Sequence, residues 1–309
     1  MDLRQLEYFC AITDAGSFSA AARTLLIAQP TLTVAMRNLE RELGTALLVR
    51  ASPGVSPTEA GQYLYHEAQR ILRDITNTTR HVRSIAQGLA GNLDLAVIPS
   101  YSWAHLADVL GAVSAAAPGI QVRLSDPPPV EILQQVSDGT SDLGVVVTHD
   151  PLLLRERYGE LRLRFRSLCE LPVVAVLPPS FAAAPNPIPL DTLQEQAWVI
   201  PTTPPRFPGM AALTELVWRN NGWTPHTVRE VSTSQASLPM IAGGLGVALM
   251  PSSLGVLAEG SVVLRRLREQ VPPLVAVGVW HSDRAVKPAL ATLLRVLEQH
   301  HGEFVMRTD

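Results

Sequence analysis

The chain of 309 residues lacks several features that would fix its chemistry at once. Cysteine is scarce: Cys10 and Cys169 lie far apart among apolar neighbours, so no disulfide framework is available and two buried free thiols are expected. The start, MDLRQLEYFC, has neither a basic opening nor an apolar run, so nothing reads as a secretory leader and the protein is expected in the cytoplasm. The charge-free stretch from Ser232 to Ala258 is broken by Pro239, Pro251 and several glycines. It holds no continuous apolar run of about twenty residues and reads as a buried helix–strand–helix, not a membrane span. No Gly-x-Ser-x-Gly, phosphate loop or convergent His–carboxylate set points to an enzyme, and Gly243-Gly244-Leu245-Gly246 reads as a helix end and tight turn. The eight histidines show no metal-ligand spacing, and His300 and His301 are neighbours on a terminal helix, pointing in different directions. Neither a metal nor a cofactor is expected.

What is present begins at residues 17–43, which read as two short amphipathic helices joined by a tight connection. Phe18, Ala21, Ala22 and Leu25 fall at helical spacing on the first; Leu32, Met36, Leu39 and Leu43 make one apolar stripe on the second. The other face of the second helix carries Gln29, Thr31, Thr33 and Arg37. Short polar groups near a helix N-terminus are what a helix lying in a DNA major groove requires. A preceding helix over residues 3–14 offers Leu3, Leu6, Phe9, Cys10 and Thr13 to the same core. After Gly44, two short extended pieces flank Ser52-Pro53-Gly54 as a β-wing, which completes a winged helix-turn-helix.

Thr58 opens a long helix to about Gln87. Leu64, Ala68, Ile71, Ile75, Thr78, Val82 and Ile85 alternate in steps of four and three, a coiled-coil seam. A helix of that length spans roughly 45 Å, more than a small domain can cover, so pairing with a second copy is expected. Charge gives the DNA reading little help. Up to Gln87, nine arginines, no lysine and eight acids leave +1, and the remainder carries −4. Few phosphate contacts per chain mean that tight DNA binding must come from linked copies.

Beyond Gly91, short apolar strands alternate with helices, which indicates a parallel sheet with helices on its faces. Ligands of open α/β sheets bind outside the carboxyl ends of the strands. Here those ends are Pro99-Ser100-Tyr101-Ser102, Thr148, Pro201-Thr202-Thr203 and Ser232-Thr233-Ser234. The start of the helix after Ser100 favours a carboxylate or similar anion. Trp103, Phe207 and Trp223 could line the same space.

The order Arg4–Glu7, Gly16-Ser17-Phe18, Ala21-Ala22, Gln29-Pro30-Thr31-Leu32-Thr33, Leu39-Glu40, Leu43-Gly44, Leu47, Arg50 and Thr58-Glu59-Ala60-Gly61 resembles the N-terminal region of LysR-type transcriptional regulators. It runs without gaps for about sixty residues, and a looser likeness covers the rest. The resemblance implies a ligand-responsive DNA-binding regulator, not an enzyme. It implies an α/β chain with an N-terminal all-α winged helix-turn-helix and a two-lobed, periplasmic-binding-protein-like effector domain. The expected divisions are residues 1–57 for the DNA-binding domain, 58–87 for the dimerisation helix and 88–309 for the effector domain. Lobe one is expected at 88–162 plus 270–309, and lobe two at 163–269.

On this reading Gln29, Thr31 and Thr33 meet base edges, Pro30 starts the recognition helix with a pre-set backbone, and Arg37, Arg50 and Arg23 neutralise phosphates. Leu64, Ile71, Ile75 and Val82 form the dimer seam. In the family, hydroxyl residues at positions matching Ser100, Ser102 and Thr202 line the effector cleft, and the strand-end rule adds Thr203, Thr148 and Thr233. The partners are a pseudo-palindromic duplex, a small anionic or partly apolar effector, and further copies of the chain as a homodimer or homotetramer. Three positions depart from the family: Ala28 replaces a capping Ser, Val34-Ala35 replaces Arg-Gln or similar, and Pro53 stands at the wing tip where Arg is frequent. Pro127-Pro128-Pro129 occupies a place where another polar residue often lines the cleft, which favours a partly apolar ligand. A solute-receptor-type binding protein without DNA function is the competing reading, but it leaves the first eighty-seven residues without a role.

Overall fold

In the computed structural model, the described residues are 1–50, 54–202, 206–258 and 260–302. They form two compact units, one running through Arg83 and one beginning at Ser84.

The first unit starts with α1 (Leu3–Ala15), α2 (Phe18–Thr24) and α3 (Gln29–Leu43). Asp2 and Gln5 cap α1 reciprocally: the Asp2 side chain accepts from Gln5 N at 2.8 Å and the Gln5 side chain from Asp2 N at 2.9 Å. Ser17 caps α2. At the start of α3, Ala28 supplies no side-chain acceptor, and Pro30 in the first turn supplies the pre-set backbone instead. Phe9, Ile12, Ala21, Ala22, Leu32, Met36, Leu39 and Leu47 are buried together as the core.

The wing is β1 (Leu48–Arg50) paired antiparallel with β2 (Val55–Pro57), and α4 (Glu59–Ala86) follows. Glu40 fixes the wing's entry, accepting from Leu47 N at 2.8 Å and Leu48 N at 3.2 Å. Thr58 fixes its exit: the hydroxyl donates to Ala46 O at 2.8 Å and accepts from Gly61 N at 3.0 Å. A Cβ at position 61 would sit 2.0 Å from Leu47 O, so only glycine lets α4 come this close to the strand.

The second unit opens with β3 (Ala90–Val97), α5 (Pro99–Tyr101), a π-helical turn (Ser102–Leu106), α6 (Ala107–Ala116), β4 (Gly119–Ser125), α7 (Pro129–Asp138), β5 (Leu143–Thr148), α8 (Pro151–Tyr158) and β6 (Leu163–Leu171). β7 (Val173–Leu177), β8 (Trp198–Pro201), α9 (Met210–Asn220), β9 (Val228–Val231), α10 (Ser234–Ala242), β10 (Ala248–Pro251) and β11 (Val263–Arg265) follow, then β12 (Leu274–His281) and α11 (Pro288–His301). The larger sheet runs β4-β3-β5-β12-β6. β3 is parallel to β4 and β5, and β12 is antiparallel to β5 and β6. The other part of the unit holds β10-β7-β11, all antiparallel, and the parallel pair β8-β9.

Two expectations change. The larger sheet is mixed, because β12 enters directly from the second lobe with no crossover helix to reverse it, and β10-β7-β11 is antiparallel throughout. The switch between sheets also falls later than residue 162: β6 pairs with β12, and the chain reaches the other sheet only after Pro172. Arg164, Arg166, Ser167 and Glu170 interrupt the apolar pattern of β6, as befits an edge strand with one face toward solvent. α8 and β11 also escaped the sequence reading.

Candidate functional site

On α3 the stripe Leu32, Met36 and Leu39 is buried, which turns the opposite face outward. Gln29, Pro30, Thr31 and Arg37 are exposed, and Thr33 is half-buried. Ser19 donates to Gln29 Oε1 at 3.2 Å, so α2 orients that side chain. The Thr33 hydroxyl donates to Gln29 O at 3.2 Å, within its own helix. Val34 adds exposed apolar surface to the same region. Arg23 is exposed in the last turn of α2, and Arg50 ends β1 opposite Val55. Pro53 lies outside the described residues.

Of the expected dimer seam, Leu64 packs against the head's own core, and Ile71 against Leu6, Cys10 and Ala68. Those two positions therefore also serve the fold of the first unit. Ile75 and Val82 are exposed, 38% and 60%.

The second unit contains a cavity of about 180 Å³ at the strand ends. Ile98, Ser100, Trp103, Asp126 and the run Pro127-Pro128-Pro129 form one side; Thr202, Phe207, Met210, Ser232, Thr233 and Gln235 form another. Among the described lining residues six are proline and none is Arg, Lys or His. Pro99 and Pro129 stand in the first turns of α5 and α7, where they remove backbone donors. Ser100 is buried, and among the described residues its Oγ has no hydrogen-bond partner. A buried hydroxyl left unpaired beside a cavity is a group that a ligand can satisfy.

The remaining nominated hydroxyls divide. Thr202 lines the cavity while donating to Val231 O at 2.8 Å, and Thr233 lines it while capping α10 through Ala236 N at 3.2 Å. Ser102 does not line it; its hydroxyl points back to Ile98 O at 3.4 Å because the turn it sits in is helical. Thr148 does not line it either: it is fully buried, with its hydroxyl bonded to the backbone of Asp150 and Pro208. Thr203 lies outside the described residues. Trp103 and Phe207 reach the cavity, whereas Trp223 packs on Trp198 with ring centroids 5.9 Å apart. Asp126 and Gln235 were missed, although each immediately follows a strand end or helix start and the strand-end rule reaches both.

Two family models match the chain. The "Bacterial regulatory helix-turn-helix protein, lysR family" model covers residues 3–62 and the "LysR substrate binding domain" model covers residues 86–302. The chain belongs to the LysR family. It is a DNA-binding transcriptional regulator with an effector-binding domain. Among curated relatives of this LysR-type regulator, IlvR of Caulobacter vibrioides is 30% identical, over 97% of this chain and 98% of its own. XapR of Escherichia coli is 27% identical, over 96% and 98%. The crystal structure of CbnR, a LysR family transcriptional regulator, superposes with a TM-score of 0.83 at 23% identity, covering 96% of this chain and all of that one. CbnR in complex with its target DNA gives 0.79 at 22% identity, covering 97% and all of that chain.

A further cluster joins two histidines and a cysteine that lie far apart in the sequence. One ligand atom each from His105, Cys169 and His301 lies within 4.8 Å of the others. His300 and His301 do not diverge: their ring centroids are 4.7 Å apart. Burial, with His105 and His300 nearby, lowers the His301 pKa to about 4, and burial raises the Cys169 thiol to about 11. Burial, with His300 beside it, lowers His105 as well. Among the described residues, no helix is long and apolar enough to cross a membrane.

Proposed function

We propose that this regulator reads a pseudo-palindromic promoter site through α3, with Gln29, Thr31 and Thr33 at base edges, Pro30 setting the start of the helix, and Arg37, Arg50 and Arg23 on phosphates. The outward polar face of α3 over a buried leucine stripe carries this reading. The likeness to CbnR complexed with its target DNA supports it. The exposed part of α4, Ile75 and Val82, pairs two copies, and two such dimers place four reading heads on one site. The protein works in the cytoplasm and turns over no substrate.

The effector binds in the cavity, with Ser100 giving or accepting its polar hydrogen bond and Thr202 and Thr233 beside it. A wall of prolines without a cationic side chain favours a small, partly apolar molecule with one polar head; any negative charge on it is met by backbone and helix ends alone. Binding shifts the arrangement of heads only through unequal affinity for two arrangements.

An electrophoretic shift on the chain's own upstream region tests the DNA reading. Arg37→Ala weakens binding across all sequences and flattens its salt dependence, whereas Thr31→Ala relaxes discrimination between sequences. Equal binding of the wild type to any duplex sinks the proposal.

A further inference from the structure

The π-helical turn Ser102–Leu106 faces two ways. Trp103 lines the effector cavity, and His105 lies in the cluster with Cys169 of β6 and His301 at the end of α11. π-helical turns cost regular hydrogen bonding and are retained mostly where a side chain must be placed for a task. All three residues of the cluster are half-buried. Among the described residues, neither the His105 ring nor the Cys169 thiol makes a hydrogen bond, and Cys169 has no disulfide partner. The His301 ring is held by Tyr101, whose Oη is 2.8 Å from His301 Nε2 and whose side chain is fully buried. The rings of His105 and His301 meet edge to face, 5.1 Å between centroids, and His300 stands 6.0 Å from His105.

We propose that His105, Cys169 and His301 bind a thiophilic transition-metal ion, with Zn²⁺ as the best-fitting one. Two imidazoles and a thiolate are a borderline-soft donor set, which selects Zn²⁺ over Mg²⁺ or Ca²⁺. With Zn–N near 2.0–2.1 Å and Zn–S near 2.3 Å, the edges of a tetrahedron are about 3.3–3.6 Å. The cluster therefore closes by about 1 Å on the ion, a movement that side-chain rotation supplies. The fourth position is left to water or to the exposed His300. On binding, the Cys169 thiol releases its proton to solvent and the S–metal bond forms, with no change in oxidation state. Tyr101 takes the place of the oxygen partner that usually fixes the orientation of a metal-binding imidazole.

The sequence gives no warning of this set, since its members lie 64 and 132 residues apart. The packing of α11 on β6 and on α6, which continues the π-helical turn, brings them to one place.

The test uses the full chain without an affinity tag, stripped of metal and titrated with Co²⁺, which reports thiolate ligation by its own absorption. One equivalent per chain is expected, with a near-ultraviolet thiolate-to-cobalt band that is lost in Cys169→Ser and kept in Cys10→Ser. Zn²⁺ competition against a chromophoric chelator is expected to weaken by at least about tenfold in His105→Gln and in His301→Gln, no less than the loss of an outer-shell partner causes. Absence of the band in the wild type, or its persistence in Cys169→Ser, overturns the proposal. His301→Gln, at a helix end, keeps the question answerable should Cys169→Ser fail to fold, because unchanged Zn²⁺ affinity there overturns it equally.

Discussion

Thr148 at the end of β5 donates its hydroxyl to the Pro208 carbonyl at 2.8 Å, while accepting from Asp150 N at 3.0 Å. The same carbonyl accepts from His149 N at 3.0 Å. Pro208 stands between Phe207 and Gly209, both of which line the cavity, so this knot ties a strand end to the opposite wall. Thr148→Val keeps the shape and leaves Asp150 N without its side-chain acceptor. The loss is expected to be about 1–3 kcal/mol of stability, read by chemical denaturation. No change would mean that the knot is slack.

Ser100 is the reverse case. Its Oγ is buried without a partner, so Ser100→Ala removes an unsatisfied group. The ligand-free protein is expected to keep its melting temperature or gain the equivalent of up to about 1 kcal/mol. Any compound that stabilises the wild type through the cavity is expected to lose most of that effect in the variant. A lower melting temperature without ligand, or an unaltered ligand shift, removes Ser100 from the site.

The legibility of the chain followed the range over which its signals act. The helices of the head and the seam were readable because each is a local period with local stops, such as Gly44 in the left-handed region at φ 70°. Ser100 was readable because a strand and a helix start meet there. Ser102 and Thr148 carried the same residue chemistry, and nothing local told a free hydroxyl from one bonded to Ile98 or Pro208. β6 was hidden by its arginines, and with it the sheet boundary and the setting of Cys169. What depends on partners distant in sequence was not legible.

Along α4, position decides what a charge does. Leu64 is half-buried against the core of the first unit and Ile75 is exposed. Ile75→Asp with Val82→Asp is expected to give a folded monomer with weakened DNA binding, whereas Leu64→Asp is expected to unfold the head, burying a charge at several kcal/mol. Sedimentation analysis and circular dichroism separate the two. A stable dimer of the double variant sinks the assigned seam.

Cys10 is buried beside α4, and burial with Asp14 nearby raises its thiol to about 11. In a Cys169→Ser background, its alkylation by iodoacetamide is expected to be slow at pH 8 and to rise about tenfold per pH unit toward 11. The unfolded chain loses this proton first, near 8.5. Between that value and 11 the native state binds more protons, so stability falls as pH rises. A reaction rate that levels off by pH 9 contradicts the assignment.

Ala28 caps α3 from just outside it: its φ of −72° and ψ of 134° are those of a capping residue, but its side chain accepts nothing. Ala28→Ser places a hydroxyl where the free N–H groups of the first turn need one. About 1 kcal/mol of added stability in the head is expected, measured as a rise in the transition that Leu32→Ala lowers. Pro30 in the first turn has already removed one of those donors, which sets the ceiling on the gain. The helix is then firmer under its exposed residues, and DNA affinity is expected to hold or rise. A loss of affinity with gained stability would mean that fraying at Ala28 is part of how α3 fits the groove.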